Sequence, residues 1–131
     1  MNTAQKAQAA ANGATYLWTT AGTRLAIVNT LDTSDLAEIV DADVLVGFSI
    51  FSTPNAQLLD DVRIRYSFRA ARADYDVGSL AASVVGGGGH RGAAGCEVPL
   101  ASKMNAITQA FLFVESYEAS ASGSTGRRET T

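Results

Sequence analysis

Val62-Arg63-Ile64-Arg65-Tyr66-Ser67-Phe68-Arg69 alternates apolar and polar residues without an error. Successive strand residues point to opposite faces of a sheet, so a period of two marks a strand with one buried side. Val62, Ile64, Tyr66 and Phe68 form the core face; Arg63, Arg65, Ser67 and Arg69 share the other. Upstream, Val44-Leu45-Val46-Gly47-Phe48-Ser49-Ile50-Phe51 is nearly continuous in apolar residues, as a central strand buried on both faces requires. Earlier still, Ala14–Thr19 and Arg24–Val28 are strands joined by a turn at Ala21-Gly22, predicting a hairpin. Between that hairpin and the central strand, Asp32-Thr33-Ser34-Asp35 supplies N-cap oxygens and first-turn acids for a short helix, Leu36 to Val40.

Downstream of the alternating strand, Asp76 caps a short helix through Leu80 and Val84, ended by Gly86. Cys96-Glu97-Val98 reads as one more short strand. Leu100, Met104, Ile107, Phe111 and Val114 recur at helical spacing, with Phe111 and Phe113 as core candidates. Residues 1–13 form an N-terminal helix ended by Asn12-Gly13; residues 14–118 form the folded domain. Residues 119–131, without apolar payload, are expected to be a disordered tail. The order predicts a single α/β domain with a mixed sheet of about five strands flanked by helices.

At 131 residues the chain suits one core, and 47% hydrophobic with 18% charged residues is globular composition. Ten Lys+Arg against 13 Asp+Glu exclude a uniformly basic duplex binder, so any anion site must come from local clustering. Such clustering exists. From Asp32 to Asp61 there are seven acids and no bases; from Val62 to Gly95 there are five arginines, two aspartates and the single histidine. One cysteine, Cys96, excludes a disulfide framework and a multi-cysteine zinc site. One histidine argues against a dinuclear catalytic centre inside the chain. With no long apolar run and no signal-peptide pattern, the expectation is a cytoplasmic protein without a membrane partner.

Gly86-Gly87-Gly88-Gly89-His90-Arg91-Gly92-Ala93-Ala94-Gly95 contains six glycines and two alanines in ten residues. A backbone without Cβ atoms admits a ligand closely, and successive N–H groups form concave anion sites. His90 and Arg91 add donors at the rim, and arginine grips phosphate through two N–H groups. A plain linker or tight turn is the blander reading, but a linker seldom carries His-Arg followed by two small packing residues. Tyr16 and Trp18 share a strand face; Trp18 as core or rim packing is favoured over a base-stacking platform. Cys96 lacks a second histidine to activate it as a nucleophile.

This glycine segment resembles the Gly-Gly-Gly-His-Arg-x-Ala-Ala-Gly signature of the DHH-associated domain, the C-terminal substrate-binding domain of DHH-family phosphoesterases. That family includes oligoribonucleases (nanoRNases), single-strand-specific exonucleases and cyclic-dinucleotide phosphodiesterases. Ser67-Phe68-Arg69 is similar to the family's Ser-x-Arg strand, and Asp76-Val77-Gly78-Ser79-Leu80-Ala81 to its Asp-Val-x-x-Ile-Ala helix. In order and spacing the resemblance covers about residues 15–118. Gly92 departs from a frequent Asn, and Cys96 from a larger apolar residue.

The resemblance implies substrate grip: Gly87, Gly88, Gly89, His90, Arg91, Ser67 and Arg69 match positions that hold a terminal phosphate or nucleotide. Arg63 and Arg65 are added from strand geometry. It also implies what is missing. Family catalysis belongs to a separate DHH domain whose Asp and His residues bind two divalent ions, commonly manganese. This chain has no Asp-His-His, so no cofactor of its own is expected and it is not expected to hydrolyse substrate alone. The leading expectation is a module binding nucleotides or short single-stranded nucleic acid for a DHH catalytic domain in cis or in trans. The alternatives are a phosphodiesterase subunit active only with that domain, and an interaction domain that has lost its ligand. A homodimer is left open.

Overall fold

The computed structural model describes residues 3–52, 62–72, 74–84, 86–99 and 104–129. The chain is a single α/β domain. In order it forms α1 (Thr3–Asn12), β1 (Thr15–Trp18), β2 (Arg24–Val28), a 3₁₀ turn (Leu36–Glu38), β3 (Val44–Ser52), β4 (Val62–Ala70), α2 (Val77–Ala82), β5 (Gly88–Gly89), β6 (Ala93–Pro99) and α3 (Ala106–Glu129). The six strands make one mixed sheet in the order β1-β2-β3-β4-β6-β5. Only β2 and β3 run parallel; the remaining neighbours are antiparallel.

Alternation in β4 decides which residues meet which layer. Ile64, Tyr66 and Phe68 are fully buried beside Val44, Val46 and Phe48 of β3, and α2 and α3 cover them through Val77, Leu80, Ala81, Ala106, Ala110 and Val114. Burying one such large apolar side chain contributes about 1.5–3 kcal/mol, so this face carries most of the stability. Tyr66 also ties the layers together, its hydroxyl donating to Gln109 Oε1 at 2.8 Å. Burial pushes that phenol's pKa up from its ordinary value.

The opposite face is covered only in part. Ala11 of α1, with Leu36 and Val40 around the 3₁₀ turn, packs on Ala26, Val28 and Leu45. β3 is buried from Val44 to Phe48; beyond it Ser49 and Phe51 on this face are half-buried, while Ile50 and Ser52, on the core face, are exposed. The central strand is therefore enclosed on both faces over its first half only. On the arginine face of β4, Ser67 and Arg69 lie beside Gly47 and Leu45 of the covered half, and Arg65 and Arg63 beside Ser49 and Phe51.

Several local features differ from the sequence expectation. The sixth strand is Gly88–Gly89, whose composition carries no strand signal because glycine has neither β-branch nor side chain to pack. The segment after Asp32 makes a 3₁₀ turn instead of an α-helix, and Asp35 makes no side-chain cap bond; the Thr33 carbonyl accepts from the Leu36 and Ala37 N–H groups. The last helix starts at Ala106, where Asn105 Oδ1 accepts from the Thr108 N–H at 2.8 Å; Leu100 lies outside the described residues. It continues to Glu129, through the stretch expected to be a tail. The loop reading of Thr53-Pro54-Asn55 also lies outside the described residues.

Trp18 is 59% exposed, on edge strand β1. The Arg24 guanidinium sits 4.6 Å from the Tyr16 ring centroid and 4.8 Å from that of Trp18, so the two rings hold a cation of the chain itself.

Candidate anion-binding site

The glycine segment folds back as a hairpin. Gly88 pairs with Gly95 and Gly89 with Ala94, while β6 pairs with β4, setting Ala93 against Arg69 and Gly95 against Ser67. The His90 N–H donates to the Ala93 carbonyl at 2.8 Å, which extends the β5–β6 register by one residue. His90, Ala93 and Arg69 thus occupy one row across the sheet, with His90 two strands, roughly 10 Å, from Arg69. The segment is held in the sheet and is no linker.

Its glycines do different jobs. Gly87 packs against the end of α2: a Cβ there would lie 2.0 Å from the Ala81 carbonyl oxygen. Gly86 turns the chain at φ +83°, and Gly89 sits at φ +149°. A Cβ on Gly88 would meet nothing within 4 Å, so the hairpin presents open space at that position. Two amides of the loop are already engaged, Gly87 N–H with the Val84 carbonyl and His90 N–H with that of Ala93. The expected chain of free amides is therefore reduced, and what remains is close, Cβ-free approach.

The arginines divide sharply. Of the six between Arg24 and Arg91, five are ion-paired. Arg24 meets Asp41 at 2.7 Å, and Arg72 meets Asp43 at 3.0 Å and Asp74 at 2.8 Å. Arg91 meets Asp76 at 3.3 Å, on the side of α2. Arg63 and Arg65 converge on Glu97, at 3.4 and 2.8 Å. Arg65 additionally lies 5.4 Å from the Phe51 ring centroid. The hydrogen bond from Arg65 holds the Glu97 carboxyl below the usual carboxylate range.

Arg69 has no carboxylate among the described residues. Its Nε donates to Thr33 Oγ1 at 3.4 Å, and Thr33 Oγ1 lies 3.3 Å from Ser67 Oγ. Thr33 is buried and Ser67 and Arg69 are half-buried, Ser67 beside Gly47 and Arg69 beside the buried Leu45. Gly47 makes this possible: a Cβ there would lie 2.1 Å from the Thr30 carbonyl oxygen and 2.6 Å from Thr33 Cγ2. The two guanidinium NH₂ groups of Arg69 have no partner among the described residues, and neither has the exposed His90 imidazole.

The structure thus brings Ser67, Arg69 and the His90 end of the hairpin to one face. It directs Arg91 instead to Asp76, the residue that caps α2 by accepting from the Ser79 N–H at 3.1 Å and its hydroxyl at 2.8 Å. That hydrogen bonding lowers the Asp76 pKa from its ordinary value. Thr33, Gly47 and Glu97 were not legible as site residues. Thr33 sits in a stretch that reads only as a helix start, and Glu97 becomes a neighbour of Arg63 and Arg65 only through the β4–β6 pairing.

Cys96 is buried opposite Tyr66, and burial pushes its thiol up from its ordinary 9.0 to about 11, an inert packing residue. Among the described residues no group of three or more His, Cys, Asp or Glu is placed to hold a metal ion. None of their helices is long and apolar enough to cross a membrane.

No family model matches the chain, and no curated protein matches it. Among solved structures, one from Helicobacter pylori G27, described as an uncharacterized protein, aligns with a TM-score of 0.46 at 16% identity, over 88% of this chain. The chain spans 29% of that structure's length.

Proposed function

We propose that this domain binds the phosphate of a nucleotide or of short single-stranded nucleic acid, as the substrate-gripping module of a DHH-type phosphoesterase. The observation that carries the reading is the isolation of Arg69. It is the one arginine between residues 24 and 91 without a carboxylate among the described residues, half-buried beside Leu45, held by the Thr33 hydroxyl and in one row with the glycine hairpin. A guanidinium so placed keeps its planar NH₂ fork for a phosphate, and charge-assisted pairs of this kind are about twice as strong as neutral ones. Ser67 and Thr33 orient the fork and add hydroxyl donors. Gly88 lets the ligand approach the backbone, and His90 closes the row from the far side.

The resemblance of Gly86–Gly95 to the DHH-associated signature supports the phosphoesterase context. The described residues do not fit a divalent-metal site. In this reading hydrolysis belongs to a metal-bearing DHH domain in cis or in trans, as the resemblance implies, and no chemical step is assigned to this chain. The deciding experiment is a thermal-shift and fluorescence-anisotropy screen with nucleoside monophosphates, 5′-phosphorylated dinucleotides and cyclic dinucleotides. Binding that weakens roughly tenfold or more in Arg69→Ala is the expected result. Equal binding by a folded Arg69→Ala protein, or no binding of any nucleotide by the parent, overturns the reading.

A further inference from the structure

On β4 the same strand face carries three arginines, yet only one end of it is free of acid. Glu97 stands opposite Arg65 in the β4–β6 register. Its two carboxylate oxygens take Arg65 and Arg63 separately, and its own carbonyl accepts from Arg63 at 3.3 Å. Arg65 is four residues from Arg69, about 14 Å along the strand, which places the pair along the path a longer polyanion would follow from Arg69. We propose that Glu97 is a specificity-determining residue that limits the anion site to a single terminal phosphate by engaging the two arginines that would otherwise extend it.

The inference rests on the phosphate-binding reading above and deepens it, naming mononucleotides and very short oligonucleotides as the ligand class. With Glu97 in place, the distal end of the face has a net charge of one across three charged groups, and its donors are engaged. A second or third phosphate arriving there meets a carboxylate at hydrogen-bond distance from both arginines. Removing that one negative charge leaves two guanidiniums on an open, aromatic-backed surface. Each phosphate newly neutralised on a single strand steepens the dependence of log K on log salt by about 0.7.

The test compares a 5′-phosphorylated thymidine dinucleotide with a 5′-phosphorylated thymidine decanucleotide on the parent, Glu97→Gln, and the triple variant Arg63→Gln/Arg65→Gln/Glu97→Gln. Anisotropy is recorded across a salt series, with melting temperature confirming the fold. In the parent, both lengths bind with the same salt slope. In Glu97→Gln the dinucleotide is unchanged, while the decanucleotide binds several-fold more tightly with a slope steeper by about 0.7–1.4. The triple variant returns to parent behaviour. Glu97→Thr, which keeps a strand-forming residue, gives the same result if Gln disturbs β6. A folded Glu97→Gln protein with no change in length preference or slope, while the parent binds the dinucleotide, overturns the role of Glu97 alone. Absence of dinucleotide binding in the parent removes the phosphate-binding reading and this inference with it.

Discussion

The two ends of β4 carry the same residue type on the same face and have different fates. At Arg63 and Arg65 the neighbouring strand supplies Glu97, whose single carboxylate engages both guanidiniums and leaves one net positive charge. At Arg69 the same strand supplies Ala93, while the other side supplies a hydroxyl from Thr33, so the charge stays available. What separates them is the identity of the cross-strand partner, because pairing brings side chains within about 5 Å and a carboxylate there outcompetes solvent for a guanidinium. A row of arginines is thus no measure of an anion site. The proposed site is where the partners fall away.

The strongest way to break the contrast is to displace the loop that carries Thr33. Gly47→Ala puts a Cβ against the Thr30 carbonyl and Thr33, and a close-packed site resists such insertion by about 1–3 kcal/mol. A lowered melting temperature together with lost nucleotide binding is expected. Unchanged values in both assays would show that the loop gives way freely. Next in size is the comparison of single truncations. Arg69→Ala should weaken dinucleotide binding roughly tenfold or more, whereas Arg63→Ala should change it less than about twofold, because Arg63 is held by Glu97. Equal losses at both positions, measured by anisotropy, would erase the distinction between the ends.

A smaller effect sharpens it. Thr33→Val keeps the shape but removes the hydroxyl bonded to Arg69 and Ser67, and one hydrogen bond is worth about 0.5–1.5 kcal/mol. Stability should fall by about that amount and binding about threefold, as denaturation and calorimetric titration can resolve.

The smallest effect is in pH. Glu97 and Asp76 are held below the usual carboxylate range, chiefly by hydrogen bonds from Arg65 and Ser79 respectively. Groups depressed in this way contribute stability above their unfolded values, and lose it as pH falls through the folded ones. Stability should therefore be level near neutrality and decline on acidification below about pH 4.5, slightly less steeply in Glu97→Gln. On the alkaline side Cys96 works in the opposite sense. Its raised value means stability is fully present below 9.0 and is lost as pH rises through about 11. Burial raises Tyr66 in the same sense from its ordinary 10.0, so in chemical denaturation across pH a Cys96→Ala variant should begin its alkaline decline near 10.0 instead of 9.0, and an unchanged onset would show that the thiol is accessible.

Much of the fold was legible because it depends on periodicity and punctuation. The alternation of Val62–Arg69, the apolar run at Val44–Phe51 and the cap at Asp76 are each local, and local propensity agrees there with the final architecture. From the same signals the sequence determined a mixed α/β sheet, the segregation of the arginine face from the core, and a glycine segment with a packing purpose. It also carries a single cysteine, Cys96, and a single histidine, His90.

Tertiary structure decided what lay between segments. Gly88–Gly89 became a strand only because β6 offered a ladder, a contribution that glycine composition does not announce. Arg91 went to Asp76, Arg65 to Glu97 and Arg69 to Thr33 because strand order placed β6 on one side of β4 and the loop before β3 on the other. Alternation tells which face a side chain takes. Which charge meets it there is set by pairing between residues about 30 positions apart, and such pairing follows from how the whole sheet closes over its core.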